Sequence, residues 1–213
     1  NSANETCYNR DIVASVEKPF SKHSGVAILR GNLAENGAVI KPSAATEKLM
    51  NHRGRAVVFE DIEDYKARID DPDLDVDESC ILVLKNVGPK GYPGMPEVGN
   101  MGIPGRLLSK GVQDMIRISD GRMSGTAFGT VVLHVSPEAA LGGNFAVVQS
   151  GDEITLDVPN RTLTLHVDEA ELTRRKKAWK PTRVRLETRG YVHLYQTHVQ
   201  QAHLGADLDF LRG

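Results

Sequence analysis

The chain has 213 residues, with 26 Lys and Arg against 28 Asp and Glu and a formal net charge of −2. That balance excludes a protein held to nucleic acid or to an anionic membrane by bulk charge. Apolar residues make up 40% and charged residues 25%, an ordinary globular composition with enough chain for one cored domain and marginally enough for two.

Taken along the chain, the opening Asn1-Ser2-Ala3-Asn4-Glu5-Thr6 is polar and has no signal-peptide core. It begins without Met, as a processed protein or the downstream part of a longer one would. No apolar run approaches the roughly 20 residues of a membrane-spanning helix. The two cysteines, Cys7 and Cys80, lie far apart and outside any Cys-x-x-Cys pair. This predicts a reducing, cytoplasmic setting and no complete metal or cluster site within the chain. Residues 1–24 lack a period and read as a leading segment that packs on a neighbour. Residues 26–31 and 38–41 read as strands, with Asn36-Gly37 as the turn between them. Residues 56–59 form another short apolar strand. Residues 60–69 read as a helix with acids first and bases last, the order its dipole favours.

The acidic stretch 70–78 is interrupted by Pro72 and has no calcium-loop glycine, so it reads as a solvated loop rather than a cation site. Residues 80–84 form a continuous apolar run, expected to be a fully buried strand. Residues 88–105 then hold six glycines and four prolines, which no regular helix or central strand accepts. Residues 105–114 are expected to be helical. Residues 115–118, 130–135, 146–148, 153–158 and 162–167 read as strands. Asp168 is the predicted cap of a helix over 169–179 that Pro181 ends, and a further helix is expected over 190–204. About eight short strands with few helices point to a barrel or curled sheet.

Two segments carry candidate chemistry. In Gly88-Pro89-Lys90-Gly91-Tyr92-Pro93-Gly94-Met95-Pro96-Glu97 the prolines and glycines present Glu97 from a stiff loop. The residues alone leave Glu97 between a hard-metal ligand, an acid or base, and a turn cap. In Ser119-Asp120-Gly121-Arg122-Met123-Ser124-Gly125-Thr126-Ala127-Phe128-Gly129 a glycine-rich turn follows a strand, a place where free N–H groups cradle anions. The spacing is neither a nucleotide P-loop nor a hydrolase nucleophile elbow. An unassisted serine is a poor base, so Ser124 needs a metal, a cluster or preorganised donors beside it, and a plain glycine turn fits the composition equally well. Arg122 either orients the loop, grips a substrate carboxylate bidentately, or pairs with Asp120. Among the seven histidines no pair has the i, i+4 spacing of a zinc helix, and His134 stands out only by lying soon after the serine loop. The basic run Arg174-Arg175-Lys176-Lys177 reads as a solvated helix face.

These two segments, with His134-Val135-Ser136-Pro137-Glu138-Ala139 and Asp157-Val158-Pro159-Asn160-Arg161, resemble the C-terminal region of the dihydroxy-acid dehydratase and phosphogluconate dehydratase family. The likeness runs from about residue 10 to residue 211, with the four motifs in the family's order. Ala127-Phe128-Gly129 and the ending Gly205-Ala206-Asp207-Leu208-Asp209-Phe210-Leu211 are more similar to the sugar-acid branch, such as arabinonate and xylonate dehydratases, than to the branched-chain enzyme.

The resemblance implies an α/β fold, a swivelling β-barrel of about eight strands flanked by helices over residues 25–213. Residues 1–24 would pack on an N-terminal domain that is not in this chain. It implies that Ser124 is an alkoxide base for the C2 proton, that Glu97 is a ligand of catalytic magnesium, and that Thr126 helps hold substrate beside Ser124, with Arg122 among the substrate contacts. The implied reaction is dehydration of a sugar acid to a 2-keto-3-deoxy acid, with Mg2+ and a 2Fe–2S cluster as Lewis acids. The family's cluster cysteines, its modified lysine and its other acidic metal ligands lie in the N-terminal domain, and neither Cys7 nor Cys80 matches them. The isolated chain is therefore expected to bind no cluster and to be inactive, and the intact enzyme to be a cytoplasmic homodimer or homotetramer acting on a small molecule, with no nucleic-acid or membrane partner. Two other readings are a branched-chain dihydroxy-acid dehydratase and a stand-alone swivelling domain that binds a ligand without catalysis.

Overall fold

The computed structural model describes residues 8–20, 25–181 and 186–211. Cys7, His23 and the ends of the predicted leading segment lie outside the described residues. Within it, residues 8–20 form turns only, and Tyr8, Ile12, Val16 and Phe20 are exposed.

Eight strands form a closed barrel: β1 (Ala27–Gly31), β2 (Ala34–Ile40), β3 (Asn51–Phe59), β4 (Ile81–Leu84), β5 (Ile116–Ser119), β6 (Val131–Ser136), β7 (Glu153–Asp157) and β8 (Thr162–Leu165). Their order around the barrel is β1-β2-β6-β5-β4-β3-β7-β8. Strands β3 to β6 run parallel in sequence register, Val58 opposite Val83 and Val83 opposite Ile118, and β1 closes on β8 through Arg30 and Thr162. The hairpins β1–β2 and β7–β8 are antiparallel. Among the described residues four α-helices lie outside: α1 (Ile62–Arg68), α2 (Gly105–Leu108), α3 (Glu169–Ala178) and α4 (Gly190–His198). None of them is long and apolar enough to cross a membrane.

Alternation explains the core. Along β4, Ile81 and Val83 point into the barrel with Ile116, Ile118 and Val132, whereas Leu82 and Leu84 point outward onto Ile62, Met101, Ile103 and Leu107. A parallel strand covered on both faces has no polar position, so 81–84 reads as a continuous apolar run. Asp168 caps its helix as the sequence predicts, and α1 has a cap that the sequence did not single out. Asp61 accepts the Asp64 N–H at the start of α1, and Asp168 accepts that of Ala170 at the start of α3.

Three expectations are corrected. Asn36-Gly37 is not the hairpin turn; it lies inside β2, and the turn is Asn32-Leu33. The Asn32 side chain decides this. It exchanges two hydrogen bonds with the Leu165 backbone, at 2.7 and 2.8 Å, tying the turn to β8. Residues 146–148 are not a strand. Phe145–Val147 form a 3-10 turn whose buried side chains enter the barrel core. The helices over 105–114 and 190–204 are shorter than predicted, ending at Leu108 and His198.

Candidate active site

Parallel pairing places the loops that leave β3, β4, β5 and β6 at one end of the barrel, the end where ligand sites of parallel sheets gather. Charged residues stand at each exit: Glu60 after β3, Lys85 after β4, Asp120 after β5 and Glu138 two residues beyond β6. Lys85 is buried and donates to Glu60 Oε1 at 3.0 Å and to the Val148 carbonyl at 2.7 Å. Burial, only partly offset by Glu60, pulls its ammonium below the usual lysine range.

Asp120 and Glu138 are both buried, Asp120 holding the backbone just before the glycine–proline loop and Glu138 the loop itself. Asp120 accepts from the N–H groups of Asn86, Val87 and Ala139 at 3.2, 3.0 and 2.9 Å. Glu138 accepts from those of Lys90 and Gly91, and from the Gln201 amide. The Lys90 and Gly91 N–H groups of the motif thus cradle the buried Glu138 carboxylate. Asp120 does not pair with Arg122, because it turns inward while Arg122 turns out.

Burial first, and the Glu138 charge second, push the Asp120 carboxyl up to about 7. A raised folded value means that Asp120 stabilises the fold fully below the unfolded carboxyl value of about 3.9 and that this contribution is lost as pH rises toward about 7. Asp120→Asn carries no charge at any pH. Urea midpoints of the variant should therefore gain on the parent between pH about 4 and about 7. Parallel profiles would contradict the assignment.

The loop leaving β4 carries Glu97, and the loop leaving β5 carries Arg122, Ser124 and Thr126. Arg122 binds the two together: its Nε donates to the Met95 carbonyl at 2.6 Å and its Nη1 to Glu97 Oε1 at 3.1 Å. In return the Gly99 N–H donates to the Arg122 carbonyl at 2.8 Å. A Cβ at Gly99 would sit 2.8 Å from that carbonyl oxygen and 2.6 Å from a Leu133 methyl, so only glycine fits. Glu97 and Arg122 are each about half exposed. Of the sequence readings for Arg122, orientation of the loop is the one this geometry carries.

Ser124 Oγ lies 3.0 Å from Thr126 Oγ1 and 3.4 Å from the Thr126 N–H, and the Ala127 N–H donates to the Ser124 carbonyl at 3.1 Å. The serine is half-buried and Thr126 exposed. Beyond them, exposed Phe128 and buried Gly129 lead back to β6. The root of this loop is a buried ion pair. Asp114 accepts from Arg117 Nη2 at 2.7 Å, from Thr130 N–H and Oγ1, and from Thr46 Oγ1. Gly129 passes so close over Arg117 that a Cβ there would lie 1.8 Å from its Nη2.

His134 donates its backbone N–H to the Gly121 carbonyl at 3.0 Å. Burial, then the Arg122 charge, lower its imidazole from the usual range, which favours the neutral ring. Sequence reasoning missed two contributors: Asp114, and Lys41, whose ammonium donates to the Gly125 carbonyl at 2.8 Å. Neither sits in a recognisable motif; Lys41 meets the loop through the pairing of β2 with β6, and Asp114 through that of β5 with β6.

As a metal ligand Glu97 fits the role of a single hard-oxygen donor, one of its oxygens being engaged by Arg122. Among the described residues no group of three or more His, Cys, Asp or Glu side chains is arranged to hold a metal ion. Cys80 is buried, accepts the Asp77 N–H, and burial pushes its thiol up, so it does not fit the role of a thiolate cluster ligand.

Among known proteins, residues 11–206 match the family described as dihydroxy-acid/6-phosphogluconate dehydratase C-terminal. The chain is similar to an L-arabinonate dehydratase of Rhizobium leguminosarum bv. trifolii (strain WSM2304), 61% identical over 97% of this chain and 35% of that protein. It is 55% identical to an L-arabonate dehydratase of Azospirillum brasilense, over 97% of this chain and 36% of that protein. It is 49% identical to a 6-deoxy-6-sulfo-D-gluconate dehydratase of Pseudomonas putida, over 99% of this chain and 37% of that protein. The chain spans about a third of the length of these relatives.

Proposed function

The chain belongs to the dihydroxy-acid/6-phosphogluconate dehydratase family, and from that premise we propose that it carries the base and one metal ligand of a hydro-lyase acting on sugar acids. The observation that carries this reading is the joining of the two motif loops by Arg122, which brings Glu97 and the Ser124–Thr126 turn to the same end of the barrel.

In this mechanism Ser124, as its alkoxide, takes the proton at C2 of an aldonic acid. The electron pair left at C2 forms the C2–C3 double bond as the C3 hydroxyl departs. The proton taken up and the hydroxyl lost make one water, and the enol becomes a 2-keto-3-deoxy acid. Thr126, hydrogen-bonded to Ser124 Oγ, orients the base toward C2. Arg122 holds Glu97 in place, and Glu97 presents a carboxylate oxygen to magnesium. Bound Mg2+ would supply Lewis-acid polarisation of the substrate carboxylate and C2 hydroxyl, acidifying the C2 proton. The cofactor set of the full-length enzyme is Mg2+ with a 2Fe–2S cluster, the latter held by the N-terminal portion; the described residues offer it no thiolate pair.

The exposed apolar side chains Tyr8, Ile12, Val16 and Phe20 support residues 1–24 as the segment that packs on that portion. In this reading the full-length enzyme is a cytoplasmic homodimer or homotetramer. The sugar-acid branch is preferred because dihydroxy-acid dehydratases match at lower identity, 44% for that of Archaeoglobus fulgidus. The test is keto-acid formation by the full-length enzyme from pentonic acids, hexonic acids and dihydroxyisovalerate. Turnover confined to the aldonic acids is expected. Turnover confined to dihydroxyisovalerate would assign the branched-chain reaction instead, and none on any of them would leave a non-catalytic binding domain. The 213-residue chain alone is expected to give no keto acid and to purify without iron; stoichiometric iron with turnover would overturn that.

A further inference from the structure

The peptide unit between Gly125 and Thr126 is held from both sides. Its carbonyl accepts from Lys41 Nζ at 2.8 Å, and its N–H faces Ser124 Oγ at 3.4 Å. A hydrogen bond to a carbonyl polarises the whole amide and strengthens the donor on its nitrogen, and a charged donor does so more than a neutral one. A cation on the carbonyl side therefore acts at the serine oxygen through one planar group.

The segment carrying Lys41 is built to hold that position. It follows β2 and runs beneath the serine loop, where the Ala44 carbonyl accepts from the Gly129 N–H at 2.9 Å and the Thr46 N–H donates to Thr130 Oγ1 at 3.0 Å. Lys41 is half-buried. The other cation of the loop, Arg122, is committed to Met95 and Glu97. We propose that Lys41 is a positioning residue for Ser124: its ammonium polarises the Gly125–Thr126 amide so that the Thr126 N–H stabilises negative charge on the Ser124 side-chain oxygen. The inference rests on the reading of Ser124 as the base.

A thiol at position 124 reports this charge without any cofactor. In the 213-residue chain with Cys7→Ser, the thiol introduced by Ser124→Cys is titrated by its pH-dependent alkylation rate, buried Cys80 being the slow background. Adding Lys41→Met should raise the midpoint by about 0.5 to 1 unit, whereas Lys41→Arg should leave it within about 0.2 unit. In the full-length enzyme Lys41→Met should lower kcat about tenfold or more with KM within about twofold, and Lys41→Arg should restore most of the rate. An unchanged midpoint with Lys41→Met overturns the proposal. So does an equal shift with both substitutions, which would mean that loop shape and not charge is responsible. If Ser124→Ala is inactive while Lys41→Met moves neither readout, the Lys41 inference alone fails. If Ser124→Ala keeps its turnover, the assignment of the base fails, and this inference with it.

Discussion

Ser124→Ala in the full-length enzyme is expected to lower kcat by about 10³-fold or more, the scale at which removal of a positioned base is felt. Magnesium and iron contents should stay at the parent level. The structure makes this a clean experiment. Among the described residues Ser124 Oγ is hydrogen-bonded only within its own turn, to Thr126 Oγ1 and the Thr126 N–H, and the side chain is half-buried in a loop outside both core clusters. Its removal should change stability by no more than about 0.5 kcal/mol, as for most surface substitutions. A lost rate therefore reports chemistry and not folding. Near-normal turnover with the metals retained would reduce the Ser119–Gly129 segment to a glycine turn and would put the base elsewhere.

Asp114→Ala should be the most damaging single change to the fold around the site, at about 3–5 kcal/mol, the cost of removing one partner from a buried ion pair. Asp114 accepts from Arg117, Thr130 and Thr46, and both charged side chains are buried, at 4% and 8% exposure. Alanine would leave the Arg117 guanidinium under Gly129 with only the carbonyls of Met101, Met115 and Phe128. Urea unfolding of the 213-residue chain measures the loss. A double variant with Arg117→Met should recover part of it, because the uncompensated charge is gone. A loss below about 1 kcal/mol for Asp114→Ala would show that the pair does not carry the root of the serine loop.

Much of the architecture was legible in the chain because it depends on local repetition. The period of two identified the strands of the β7–β8 hairpin, and the unbroken apolar run at 81–84 announced a strand covered on both faces. Charge order located α1, and the capping Asp168 located α3. The misreadings share a cause. Ala146-Val147-Val148 has strand-like side chains, yet three residues carry no period, and the barrel core takes them from a 3-10 turn instead. Asn36-Gly37 has turn chemistry, yet Gly37 is used at the register shift where β2 meets β6, while the hairpin turns at Asn32, which is tied to Leu165.

The motif residues of the candidate site were legible as glycine-rich loops after strands, and the family likeness supplied their roles. What the sequence determined by itself is thus most of the strands, the family, and the two glycine-rich loops that carry Glu97, Arg122, Ser124 and Thr126. Tertiary structure alone decided that β1 closes on β8, that Arg122 turns to Glu97 while Asp120 turns inward, and that Lys41 reaches Gly125 across 84 positions of chain. The physical reason is range. Backbone periodicity and capping are properties of neighbouring residues, whereas these contacts exist only once a barrel of mixed parallel and antiparallel pairs has closed and brought its loops to one end.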